Sequence, residues 1–153
     1  MLATAPYLHT MSNMPLRTIY AFARLSARRK ILLTLALIVA FYSQLVEMGG
    51  SRYLRFAQRD PKGSLANEHV LHDIRRAIRI VNERLFTSSV CRHTAFQAMV
   101  LCHLYKQPYT IYVGFKKNES GSVEGHAWTC VGGHMITGFC NPDEYRVVQV
   151  FRG

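Results

Sequence analysis

The sequence predicts an α+β fold in which N-terminal helices pack on a small antiparallel sheet. Two observations carry this. Ile74, Ile78, Val81 and Leu85 recur at helical spacing, whereas from Tyr109 onward Tyr109, Ile111, Val113 and Phe115 alternate with period two. Helices first and hairpin-linked strands after is an α+β order. Composition agrees with a packed chain: 49% of the 153 residues are hydrophobic and 18% charged, the reverse of a disordered balance. The length suits one domain with a full core and is too short for two of enzyme size.

The elements follow in order. Residues 1–24 read as a loose N-terminal tail; Pro6 and Pro15 fall in it, and Met11 and Met14 are alternative starts to Met1. Residues 25–153 read as a single domain, helical over 25–106 and sheet over 109–152. Ile31–Tyr42 is unbroken and apolar apart from Thr34, behind Arg24, Arg28, Arg29 and Lys30, the outline of a signal peptide. The apolar core is short of the roughly 20 residues a membrane span needs. No small-residue cleavage site follows it. Leu33, Ala36, Leu37, Ala40 and Phe41 recur at helical spacing, so residues 26–48 read as a mostly buried helix ending near Gly49–Gly50.

Arg52–Arg59 reads as a short basic helix and residues 60–64 as a loop. Residues 69–85 form an amphipathic helix with Arg75, Arg76, Arg79 and Glu83 on its solvated faces. Thr87, Ser88 and Ser89 offer caps for a helix over about 89–106, which Gln107 and Pro108 end. Strands are expected at Tyr109–Phe115, His126–Val131, His134–Phe139 and Tyr145–Phe151. Gly132–Gly133 is a two-residue hairpin turn. In that register Val131 pairs with His134, and His126 with Phe139.

Net charge is +10, which favours an anionic partner: nucleic acid, an anionic membrane face or an acidic peptide. Cys91, Cys102, Cys130 and Cys140 form no CxxC pair, so a reducing, cytoplasmic setting is expected. Cys102, Cys130 and Cys140 lie in apolar patterns and read as core.

Cys91 stands at a helix start, where unpaired backbone N–H groups favour a thiolate and a tetrahedral oxyanion. His126 opens the second strand at Gly125-His126-Ala127-Trp128 and is the imidazole such a thiol needs. A third residue to orient the ring is Asp143 or Asn141. A metal site on His126, Cys130 and His134 is disfavoured, because i and i+4 side chains on a strand lie about 13 Å apart.

The series Ser89-Val90-Cys91-Arg92, Ile111-Tyr112-Val113-Gly114-Phe115 and Gly125-His126-Ala127-Trp128, then a glycine turn and a final strand, resembles the lasso-peptide leader proteases. These microcin-processing proteins are transglutaminase-like cysteine peptidases. The resemblance covers about residues 25–152 and implies a transglutaminase/papain-like core, with Cys91 as nucleophile and His126 as base. It implies removal of the leader from a ribosomally made precursor peptide. It also implies two partners, a small leader-recognition protein and an ATP-dependent cyclase that closes the macrolactam. No cofactor, metal or nucleic acid is implied. One departure stands out: where many relatives carry an acid about twelve positions beyond the histidine, this chain has Gly138. The third member therefore does not carry over. Asp143 is the preferred substitute, with Asn141 or a dyad held by a backbone carbonyl as the others. Two further readings remain: an acyl transferase using the same thiol, and a non-catalytic basic adaptor for anionic membrane or nucleic acid.

Overall fold

The computed structural model describes residues 20–47, 66–85 and 91–153. Of the expected tail 1–24, residues 1–19 lie outside them, as do the basic helix Arg52–Arg59, the loop at 60–64 and the caps Thr87–Ser89; residues 20–23 are described and helical, which corrects the loose reading there. The described residues fall into two units that divide between Ile31 and Leu32. In the first, the Arg24 guanidinium lies 4.5 Å above the Tyr20 ring and donates to its hydroxyl at 2.8 Å. The second carries the sheet and the core.

Three helices precede the strands: α1 (Ala27–Glu47), α2 (Glu68–Leu85) and α3 (Cys91–Leu104). The expectation of a mostly buried α1 is corrected. From Leu32 on, it buries one stripe, Leu32, Ala36, Val39, Ala40 and Ser43, while Ile38, Phe41, Tyr42 and Leu45 are more than half exposed. A helix that meets the core along one side buries one stripe however apolar its other faces are. Among the described residues, no helix is long and apolar enough to cross a membrane.

α2 begins at an asparagine cap: the Asn67 side chain accepts from the Val70 amide at 3.2 Å, and the Gln107 side chain accepts from the Asn67 amide at 2.7 Å. Leu71, Ile74, Ala77, Ile78 and Val81 are buried, and the arginines face solvent as expected. α3 is the central helix and is buried on nearly every side. It packs on α2 and on the strands Val123–Val131 and His134–Thr137. It ends in a Schellman motif, with Lys106 at φ 53° and the Gln107 amide bonded to the Cys102 carbonyl at 2.8 Å.

The strands are β1 (Thr110–Lys117), β2 (Val123–Val131), β3 (His134–Thr137) and β4 (Arg146–Arg152), all antiparallel in the order β3-β2-β1-β4. Gly132 and Gly133 both take positive φ, as a tight hairpin requires, and Val131 pairs with His134 as expected. The expected partner of His126 is corrected. The register slips by one between Thr129 and Cys130, so Thr129 opposes Thr137, and β3 stops there. Such a slip is a β-bulge: one extra residue on one strand displaces every later pairing. Ile111, Ala127, Val131, Ile136 and Phe151 close the core against the helices.

Candidate active site

Cys91 is the first residue of α3 and half-buried, so its sulfur stands at the positive end of the helix dipole. The Thr94 hydroxyl, one turn on, donates to the Cys91 carbonyl at 2.9 Å. His93 is also in this turn, but it is buried and directed to the backbone of Ser43 in α1. Burial holds its imidazole below the ordinary histidine range; the Arg92 charge acts the same way, and the bond to Ser43 opposes both.

His126 lies on β2 against two aromatic rings that also touch each other, its centroid 5.3 Å from Tyr145 and 6.3 Å from Trp128, with those two 5.8 Å apart. Its neighbour Ala127 points into the core, so by strand alternation His126 and Trp128 share the other face. Trp128 is 2% exposed and stacks on Tyr112 at 5.5 Å, so it fills this aromatic cluster. Opposite His126 on β1 is Gly114, where an added Cβ would crowd Trp128 and Tyr145 at 3.3 and 3.2 Å.

The imidazole Nε2 lies 3.0 Å from the Gly138 carbonyl oxygen. A carbonyl only accepts, so Nε2 carries the ring proton and Nδ1 the lone pair. Gly138 has φ +67°, and an added Cβ would collide with the Ala127 carbonyl oxygen and lie 2.8 Å from the Trp128 Cα. Position 138, where the resemblance implies an acid, thus contributes its backbone here and is tight enough to require glycine.

Neither Asp143 nor Asn141 is hydrogen-bonded to the His126 ring among the described residues. Both are exposed in the 3-10 turn Pro142–Glu144 and its cap. The Asn141 side chain accepts from the Asp143 amide at 3.3 Å and donates to Glu144 at 3.2 Å, so it is engaged within its own turn. The Asp143 carboxylate has no hydrogen bond or ion pair among the described residues. Lys116 anchors this turn, with Nζ 3.0 Å from Glu144 and 4.9 Å from the Tyr145 ring centroid. Its hydrogen bond holds the Glu144 carboxyl below the usual carboxylate range, and the bonds to Glu144 and Tyr145 push the lysine up.

The segment Gly138–Cys140 links the two candidate reacting groups. Gly138 meets His126, and the Cys140 thiol lies in the field of Cys91. Burial pushes Cys140 up, Glu144 and Cys91 add to this, and Lys116 opposes. Cys91 and His126 are not hydrogen-bonded to each other in this structure, a contact that often tightens only with substrate bound. The core expectation holds for Cys102, which is fully buried and pushed up to about 12; Cys130 and Cys140 are half-buried. A cleft of about 450 Å³ opens between α2 and the end of β3. Thr94 and Gly138 both line it, so it adjoins the neighbours of Cys91 and of His126.

A sequence profile of the transglutaminase-like superfamily matches residues 21–150. The chain belongs to that superfamily. Its helices and four-stranded antiparallel sheet fit the transglutaminase-like fold, and the superfamily's chemistry is that of cysteine peptidases and acyl transferases. No curated protein and no solved structure matches this transglutaminase-like chain. The sequence marked Gly138 as a departure and left a backbone carbonyl open as the partner of His126, without indicating that the carbonyl is that of Gly138. The signal available was a glycine standing where a side chain was expected.

Proposed function

We propose that this chain is a cysteine peptidase that cuts the leader from a lasso-peptide precursor in the cytoplasm, with a recognition protein delivering the leader and a cyclase taking the product. The observation that supports the reading is the His126–Gly138 bond, in a chain whose Cys91 begins a helix and acts on Cys140, two residues after Gly138. With Nε2 committed to the carbonyl, Nδ1 is the base. It takes the Cys91 proton, and Sγ attacks the carbonyl carbon at the leader–core junction. The helix-start N–H of Cys91 stabilises the oxyanion. The imidazolium returns its proton to the leaving amine, and water hydrolyses the thioester to free enzyme and a leader carboxylate. The carbonyl replaces a triad carboxylate as the group that fixes ring orientation and tautomer.

The test is cleavage of a precursor peptide with the recognition protein present, for wild type and Cys91→Ala. Loss of cleavage in a variant that stays folded supports the reading; retained cleavage removes it. Adding a primary amine separates hydrolysis from transfer, because a transferase would yield the amine adduct in place of the acid.

A further inference from the structure

Resting on the peptidase reading above, we propose that the cleft between α2 and β3 is a substrate subsite for one carboxylate side chain, with Arg75 as its specificity-determining residue. Three observations converge there. The first is position. Thr94 lines the cleft and holds the Cys91 carbonyl; Gly138 lines it and holds His126. A peptide whose scissile bond sits at Cys91 therefore has residues within reach of this cleft.

The second is charge. Arg75, Arg79 and Glu83 line the α2 side. Arg79 and Glu83 face one another one turn apart at 3.9 Å. Arg75 has no carboxylate partner among the described residues. Instead its guanidinium lies 4.5 Å over the ring of Phe139, which is 59% exposed. Stacking on an aromatic face orients the guanidinium plane and leaves its in-plane N–H donors for a ligand. One guanidinium left over matches one carboxylate, which accepts its fork in a bidentate pair.

The third is an orphan. Thr137 lines the same cleft at 4% exposure, and its hydroxyl has no partner among the described residues. A buried hydroxyl without a partner is costly in a finished core and is explained where a ligand completes it.

The experiment must separate this site from the general attraction of a chain with net charge +10. The probes are two pools of synthetic octapeptides, one containing Asp and Glu and one with Asn and Gln at the same positions. Binding to the Cys91→Ala protein is read by fluorescence anisotropy at physiological salt. The acidic pool is expected to bind about tenfold more tightly than the amide pool. Arg75→Gln should abolish that difference. Arg76→Gln, an exposed neighbour outside the cleft, should keep it. Equal binding of the pools, no binding of either, or a preference that survives Arg75→Gln overturns the proposal. Wild type is then incubated with the acidic pool and new N-termini are read by mass spectrometry. Arg75-dependent binding without Cys91-dependent cleavage sinks the peptidase reading and leaves the subsite. Cleavage by a protein with no acidic preference does the opposite.

Discussion

The His126 ring and the Gly138 carbonyl meet at 3.0 Å, so a main-chain oxygen holds the imidazole where the sequence resemblance implied an acid. A carbonyl orients and fixes the tautomer as a carboxylate does, but brings no full charge. Its position is set by backbone conformation instead of by a rotamer, so it depends on the residue that permits that conformation.

Gly138 is accordingly the most sensitive position outside the proposed reacting pair. Gly138→Ala should cost about 3 kcal/mol, from the left-handed φ and the collision with the Ala127 carbonyl. Gly138→Asp, which puts an acid at this position, should fare worse and rescue nothing. Urea midpoints and cleavage rates measure both. An active, stable Gly138→Asp protein would mean that His126 accepts a different partner.

Asp143→Asn tests the third member directly. With the carboxylate exposed and unpaired, the change should leave kcat/KM within about twofold, whereas losing a residue that orients the histidine costs on the order of 10⁴. A loss of that size would place Asp143 on the ring in the working complex. His126→Ala should lose activity by at least about 10³ in either case.

The Asn82–Gln97 pair is a second buried dependence. Asn82 donates to Gln97 at 2.8 Å and to the Ile78 carbonyl at 2.7 Å, joining α2 to α3, and Gln97 is fully buried. Asn82→Ala should destabilise by about 1–3 kcal/mol, because it strands the Gln97 amide. A double-mutant cycle with Gln97→Leu should show coupling: the double variant loses less than the two singles added together.

Alkaline stability should report Cys102. Its thiol is pushed from 9.0 to about 12 by burial, so between those values the unfolded chain releases a proton that the native chain keeps. The unfolded state then binds fewer protons, and stability falls as pH rises through that window. Denaturant midpoints from pH 8 to 11 should fall less steeply in Cys102→Ala than in wild type. An unchanged slope would show that the thiol ionises alike in both states.

The sequence by itself determined much of this protein. Period 3.6 in α2 and period two in β1 assigned those elements. Two adjacent glycines assigned the hairpin, and a helix-start cysteine with Gly125-His126-Ala127-Trp128 singled out the proposed reacting pair. These are local signals, written in the spacing of neighbouring residues. Tertiary structure decided what depends on distant partners. Which face of α1 is covered turned on where the core lies, not on how apolar the helix is. The bulge after Thr129 shifted the register by one, so extrapolating the hairpin from its turn misplaced the partner of His126. The chain continued past β3 into a left-handed glycine, and there a carbonyl reached the imidazole. Every residue carries that carbonyl, so only the folded backbone could distinguish the one belonging to Gly138.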